Sequence, residues 1–425
     1  MLDRYSLSPM KELWSDEYKF QKMLEVELSV CKAWNKKGLI SDSDLQNILK
    51  RSKIDVDDIR IKEETCRHET VAFIESVSEK IGKSSKYFHF GLTSSDILDT
   101  ALSLTMKESM LLVLKKVSIL RRIIFNQAKK YKDLVMIGRT HGVHAEPITL
   151  GFKLLLYTYE LDRDINRLKN SLENISYGKI SGSMGTYAQV DPFIEKYVCK
   201  DLGLKQSRIS SQILQRDRHA EYIFSLSILG STLEKIATEI RNLHRTEIQE
   251  VTEPFEEGQK GSSSMPHKKN PILCERICGL SRLLRGNLLT SMENITLWHE
   301  RDMSHSSNER IIVPDSLCIV DFMLTDMIYI VKNITVHRDN IQKTLKVSEG
   351  KIFSQTLMLK LVNKGAEKSK SYDVIQKLSF ESGKDFLNTL KGNKFVKRYL
   401  TEKEIDDICT YKYYTKNIDK IFRRF

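Results

Sequence analysis

Between residues 93 and 340 the apolar residues of this chain recur in steps of three and four, over stretches much longer than an ordinary globular helix. Leu102, Met106, Met110, Val113, Val117, Leu120, Ile124 and Ala128 form one such stripe; at about 1.5 Å of rise per residue it lies on a helix roughly 45 Å long. Leu154, Thr158, Leu161, Ile165, Leu168, Leu172 and Ile175 form a second, and Leu226, Leu229, Leu233, Ile236, Ile240 and Leu243 a third. Leu317, Val320, Leu324, Met327, Val331 and Ile334 form another, and one more begins at Pro271 and runs through Ile277, Leu280, Leu284 and Leu288 toward Trp298. Narrow seams on long helices are buried against one another, so the middle of the chain is expected to be a five-helix bundle. One small bundle cannot cover helices of this length. The seams are therefore expected to continue across subunits in an obligate oligomer.

The flanks are helical in shorter pieces. FQKMLEVELSVCKAWNKKG reads as a helix ending at Gly38, and KIFSQTLMLKLVNKG and SYDVIQKLSFESGKDFLNTL repeat the pattern near the other end. The basic, aromatic stretch up to Phe425 reads as a docked last helix rather than an RNA-stacking surface. Only seven prolines and nineteen glycines punctuate 425 residues, which favours long helices throughout. The expectation is an all-α chain of three helical domains, 1–92, 93–340 and 341–425.

Charge and cysteine usage narrow the function. The net charge is +12, but 68 basic residues are interleaved with 56 acidic ones and no block of five or six like charges occurs. That pattern is solvated surface, part of which can steer an anionic small molecule. A nucleic-acid scaffold would leave the polar clusters described below without a reason, so no nucleic-acid partner is expected. Seven cysteines with no CxxC pair argue against a disulfide framework and for a cytoplasmic location. MLDRYSLSPMKELW has no apolar h-region and nowhere are 18 apolar residues consecutive, so neither a signal peptide nor a membrane span is expected. GxGxxG, GxxxxGK[ST], HExxH and GxSxG are all missing from the sequence, and no cofactor is expected.

Chemistry concentrates in a few polar clusters at helix junctions. GSSSMPHKKNP, Gly261 to Pro271, sets three hydroxyls and the cationic Lys268, Lys269 and His267 ahead of a helix. Asn270 is a fitting N-cap and Pro271 a fitting first residue, so the helix start is expected to present free N–H groups to an anion. RHET supplies Arg67, His68 and Glu69, and HFGLTSSD supplies His89 with Thr93 and Ser94, hydroxyls able to cap a helix beginning near Ile97. GRTHGVHAEP carries His141 and His144 between two long helices. Two histidines three apart suggest a metal, but no third or fourth ligand follows at a structural spacing, so no metal site is expected; a histidine general acid fits better. WHERDMSHSSNER, read as a polar loop, offers Arg301 and Arg310 for bidentate contacts to phosphate or carboxylate, with Ser306 and Ser307 as hydroxyl donors. QILQRDRH offers Gln212, with Arg216 to Arg218 read as surface. Arg4 and Tyr5 precede the first helix. The chemistry left is proton transfer combined with anion binding.

GSSSMPHKKNP resembles the loop of the fumarase/aspartase superfamily, whose members eliminate fumarate, and its MPHK form is most similar to the adenylosuccinate lyase family. RYS, RHET, GLTSSD, GRTHGVHAEP and HERDMSHSSNER follow in that family's order and span nearly the whole chain. The resemblance implies a homotetramer with a core of twenty helices and active sites assembled from three subunits. It implies nucleotide substrates: cleavage of adenylosuccinate to AMP and fumarate, and of the succinylocarboxamide purine precursor (SAICAR) to AICAR and fumarate. Ser262 would be the general base, His141 the acid and Glu275 the residue orienting it, with His68 and Lys268 also in the catalytic set. Arg4, Tyr5, Ser306 and Arg310 would form the phosphate site, with His89 close to it. Arg67, His68, Glu69, Thr93, Ser94, Gln212, Ser263, Lys268, Lys269, Asn270, Arg301 and Ser307 would supply the remaining contacts. Two positions depart from the family pattern. Ser264 stands where a smaller apolar residue is usual, which leaves the base to be chosen among neighbouring serines, Ser262 first and Ser263 next; Lys269 replaces the usual arginine.

Overall fold

A computed structural model describes residues 3–383 and 385–425 of the chain. It is 68% helical. Helix α1 (Asp16–Lys36) starts at Ser15, whose hydroxyl accepts the Tyr18 N–H at 3.2 Å. Helix α2 (Val56–Cys66) ends at Arg67, which turns into the left-handed region at φ 57°. His68 then caps α3 (Glu69–Ile81), its Nδ1 accepting the Val71 N–H at 3.4 Å. These capping bonds satisfy first-turn donors that would otherwise be orphaned.

Five long helices follow: α4 (Ser94–Lys130), α5 (Leu150–Ile175), α6 (Asp217–His244), α7 (Ile272–Glu293) and α8 (Ser304–Asn333). Their seams are where the periodicity puts them. Met106, Met110, Val113, Val117, Leu120, Ile124 and Ala128 of α4 are all fully buried, as are Leu226, Leu229 and Leu233 of α6 and Leu317, Val320 and Leu324 of α8. Among the described residues no helix is long and apolar enough to cross a membrane.

Three boundaries differ from the sequence reading. Helix α4 begins at Ser94, before Ile97, because Asp96 Oδ2 accepts the Thr93 N–H at 2.9 Å. Helix α8 begins at Ser304, so all of SHSSNER is helix and not loop; Asp302 takes the Ser304 N–H at 2.7 Å and the Trp298 N–H at 2.7 Å, closing the turn that precedes it. Residues 135–149 form an antiparallel hairpin, β1 (Val135–Thr140) and β2 (Val143–Thr149). Its register shifts between Ile137 and Arg139, and a Cβ on Gly138 would stand 2.6 Å from the Glu146 carbonyl oxygen, so only glycine fits there.

Contacts divide the chain into two compact units: residues 1–119, 161–234 and 277–326, and residues 120–160, 235–276 and 327–425. The first has a core around Phe20, Met23, Phe73, Val77, Ile97 and Ile194. The second has one around Leu357, Leu361, Phe386, Leu390, Val396 and Ile405.

Candidate active site

In the second unit the hairpin determines which of the two histidines is available. His144 is turned inward, its Nδ1 2.9 Å from Ser348 Oγ, and burial followed by the nearby Arg139 charge lowers its pKa from the ordinary value. Arg139 itself makes a two-bond contact, 2.8 and 2.9 Å, with the fully buried Glu250. His141 instead sits in the tight turn, exposed, with a left-handed backbone at φ 54°. Arg67, His89 and His141 all take this costly conformation. Non-glycine residues held at positive φ cluster where function over-determines the backbone; these three and His299 come from the polar clusters, while Tyr187, Gln249 and Glu349 take the same conformation outside them.

The serine loop has a defined neck. A Cβ on Gly261 would lie 2.2 Å from the Lys268 carbonyl oxygen, so the two ends of the loop touch there and glycine is required. Within it, Ser262 Oγ accepts two backbone N–H groups, from Ser264 at 3.3 Å and from Met265 at 3.2 Å. Two converging donors stabilise negative charge on that oxygen, which distinguishes Ser262 from its neighbours. Lys269 lies over the Phe255 ring at 4.9 Å.

The start of α7 is not the open anion site expected of Asn270 and Pro271. The buried Glu253 carboxylate takes the Leu273 N–H at 3.0 Å and the Cys274 N–H at 2.9 Å, so the protein supplies its own anion to this helix end. His244 fixes that arrangement. Its Nδ1 accepts the Glu253 N–H at 3.1 Å, which leaves Nε2 as donor to the Lys269 carbonyl at 3.0 Å. Glu275 is exposed in the first turn of α7. Among the described residues no hydrogen bond joins Glu275 to His141.

The first unit gathers the arginine clusters around a cavity of about 270 Å³. Its polar lining includes Glu69, Asp99, Arg216, Arg301, His305, Ser306, Glu309 and Arg310. Ser306 and Arg310 are four apart on α8, hence on one face, while His305 and Glu309 form the adjacent i, i+4 pair. Arg310 makes two bonds to Glu69 at 3.0 and 3.1 Å, and Glu69 also takes Lys19 at 2.6 Å. Arg216 is clasped by Asp99 at 2.7 and 3.0 Å and by Glu309 at 2.9 and 3.1 Å. Arg301 differs from these. Its partners among the described residues are neutral, Gln212 Oε1 at 3.1 Å and Met303 Sδ at 3.1 Å, and its buried Nε has none there. A guanidinium in a cavity that pairs with no carboxylate is poised for an incoming anion.

Arg216, read from the sequence as surface, is 3% exposed and is the centre of this network. Burial opposes ionisation of Asp99 and Glu309, but the Arg216 charge overrides it in the first; the His305 hydrogen bond and the Arg216 charge override it in the second, bringing Glu309 to about 2. His219, wholly buried with no partner on either ring nitrogen, is pushed down to about 4 by burial and then by Arg216. The i, i+4 spacing of His305 and Glu309 was the available signal, hidden by reading that stretch as loop. Nothing in QILQRDRH marks Arg216 as buried.

The other first-unit residues lie at the entrances to elements. Arg4 and Tyr5 form a short 3-10 turn, and Tyr5 packs edge-on against Phe322 at 5.2 Å. Arg67 and His68 are exposed at the α2–α3 junction. His89 is held by the buried Glu27, Nδ1 to Oε1 at 2.6 Å. Burial works against its protonation, but the hydrogen bond and charge of Glu27 outweigh that and raise its pKa. Thr93 and Ser94 stand at the start of α4, in the same turn as Asp96, which binds the buried Lys179 at 2.5 Å. Ser307 Oγ is turned back to the Ser304 carbonyl.

Residues 4–286 match the family model described as lyase, and residues 350–425 the one described as adenylosuccinate lyase C-terminus. The chain is 44% identical to the adenylosuccinate lyase of Thermotoga maritima and 44% identical to that of Bacillus subtilis, in each case over 100% of this chain and 99% of the relative. Among solved structures it is similar to a fumarate lyase from Mesorhizobium sp. BNC1, with a TM-score of 0.90, 23% identity and coverage of 99% of both chains. It is also similar to a 3-carboxy-cis,cis-muconate lactonizing enzyme from Pseudomonas putida, with a TM-score of 0.90, 24% identity and coverage of 99% of this chain and 96% of the other. These two likenesses establish the fold. The full-length identity and the two matched domains show that the chain belongs to the adenylosuccinate lyase family.

Proposed function

We propose that the chain eliminates fumarate from adenylosuccinate, leaving AMP, and from SAICAR, leaving AICAR, by general acid–base catalysis without a cofactor. The observation that carries the reading is Ser262 Oγ, which accepts two backbone N–H groups in a cationic loop. A proton alpha to a carboxylate is weakly acidic and serine is a poor base, so the oxygen must be stabilised as an alkoxide before it can act. Ser262 takes the proton from the succinyl carbon, and Lys268 balances the charge that develops on the carboxylate. Electrons move to form the carbon–carbon double bond, the carbon–nitrogen bond breaks, and His141 gives the leaving nitrogen its proton. His68 assists, and Glu275 orients His141 from another copy of the chain. Ser306 and Arg310 hold the phosphate with Arg4 and Tyr5, and His89 lies near it; Arg301, expected among the remaining contacts, joins the phosphate site because its guanidinium has only neutral partners. Arg67, Glu69, Thr93, Ser94, Gln212, Ser263, Lys269, Asn270 and Ser307 make the remaining contacts.

The working form is a cytoplasmic homotetramer around a twenty-helix core, with each site shared among subunits and the chain divided as 1–92, 93–340 and 341–425. Large apolar side chains left exposed on the long helices support the assembly: Leu111, Phe224, Leu283, Leu289, Met292 and Ile311 are all between 44% and 63% exposed in the single chain. Light scattering should return four chains, and the double variant Leu289→Asp/Met292→Asp should return fewer and lose activity while its helical circular dichroism persists. A fully active tetrameric variant would remove these residues from the interface.

Purified enzyme should turn over adenylosuccinate, followed by ultraviolet absorbance, and ignore argininosuccinate and 3-carboxymuconate. Silence on the first with turnover of either of the others would overturn the substrate assignment.

A further inference from the structure

His305 is 3% exposed, lines the same cavity as Arg301, Ser306 and Arg310, and has a buried Nε2 without a hydrogen-bond partner among the described residues. Its other nitrogen settles its tautomer. Nδ1 lies 3.0 Å from Glu309 Oε2 and 3.3 Å from Arg216 Nη2. Arginine only donates and an ionised carboxylate only accepts, so one nitrogen cannot serve both. The Glu309 contact is shorter, and Arg216 Nη2 already has acceptors in Asp99 and Glu309. The hydrogen therefore sits on Nδ1 and is given to Glu309. Nε2 is left as a bare lone pair, because a second proton there would be a buried donor with nothing to bond.

An unpartnered lone pair on a residue that lines a cavity whose arginines receive an anion is a repulsive arrangement unless a proton arrives with the anion. We propose that His305 is a further ligand of the substrate's phosphate and that it takes up one solvent proton at Nε2 as the phosphate binds. Glu309 then holds the imidazolium at Nδ1, and a phosphate oxygen accepts the new N–H. One N–H bond forms at Nε2 with a proton released from solvent water, and that proton returns to solvent when the nucleotide leaves. The inference rests on the reading of Arg301, Ser306 and Arg310 as the phosphate site.

The coupling has a pH signature. Above about pH 7 a phosphate monoester is almost wholly dianionic and no longer titrates itself. The groups packed around the ring are equally silent there. Arg216, Arg301 and Arg310 keep their charge, while Asp99, Asp302, Glu309 and, across the cavity, Glu69 are held low as carboxylates. His219 behind them is held neutral. AMP affinity should therefore fall as the pH rises from about 7 to 9.

Titration calorimetry on the intact enzyme tests this, using AMP and adenosine at pH 8 in buffers of different ionisation enthalpy. The wild type should take up about one proton with AMP and none with adenosine. His305→Asn keeps a donor for Glu309 but removes Nε2; it should lose the uptake and bind AMP roughly ten- to a hundredfold more weakly, with adenosine unchanged. His305→Gln places an amide donor near Nε2 and should recover part of the affinity with no proton uptake. Binding of AMP by the wild type without uptake, or by His305→Asn as tightly as by the wild type, overturns the proposal. Arg301→Gln separates the two layers. If it loses AMP affinity while His305→Asn does not, the phosphate site stands and the histidine's part falls; if AMP binds no better than adenosine to the wild type, the phosphate site falls as well.

Discussion

Replacing Ser262 by alanine should lower turnover of adenylosuccinate by about a thousandfold, the scale of a lost general base, without changing the fold or the assembly. The reason lies in the loop backbone. The Ser264 and Met265 N–H groups converge on the Ser262 hydroxyl oxygen, whereas among the described residues no such donors reach Ser263. Ser263→Ala should accordingly keep its rate within about tenfold, the scale of a contact that leaves proton transfer intact. His141→Asn is the matching test of the acid. Asparagine tolerates the left-handed backbone that His141 adopts at φ 54°, so the measured loss, about a hundredfold or more, reports the missing imidazole and not a distorted turn. Steady-state absorbance assays with circular dichroism on each variant decide the assignment. An active Ser262→Ala beside an inactive Ser263→Ala would move the base by one residue.

Arg216→Leu should cost about 3–5 kcal/mol of stability, because it leaves two carboxylates buried without their cation. Asp99 is 4% exposed and Glu309 6%, and neither can reach water to recover the lost interaction. The same argument predicts rescue. Replacing all three charges at once, as Arg216→Met/Asp99→Leu/Glu309→Met, removes the desolvated ions along with their attraction and should regain most of that loss. Denaturant midpoints measured on the three proteins are the check. A loss below about 1 kcal/mol in the single variant would place the network in the range of a surface ion pair.

How much of this was legible in the sequence depended on whether the determining contact was local. The apolar seams were legible because period alone fixes a buried face, and Leu226 to Leu243 and Leu317 to Val331 are buried as their spacing requires. The cluster positions were legible for the same reason, since polar runs interrupt the seams. What escaped was set by partners distant along the chain. Glu253 caps α7 from twenty residues upstream, so Asn270 and Pro271 looked like an open helix end. Arg216 is buried only because Asp99 and Glu309 arrive from two other helices. The hairpin at 135–149 was missed because its strands pair only with each other and are interrupted by Gly138, which weakens any two-residue alternation. Helix α8 was started late because SHSSNER is polar on every face, and the cap at Asp302 is visible only once the turn before it is seen.

The discontinuity of the two units bears on how the chain is made. The second unit draws on residues 120–160, 235–276 and 327–425. On a ribosome its first segment emerges long before the last, and the hairpin that presents His141 must wait for some two hundred further residues before Ser348 reaches His144. Late-arriving contacts of this kind slow folding and leave apolar stripes exposed in the nascent chain. Synthesis halted before the last hundred residues therefore removes part of one folding unit, not a dispensable tail, and the released fragment is a natural client for chaperones and proteases.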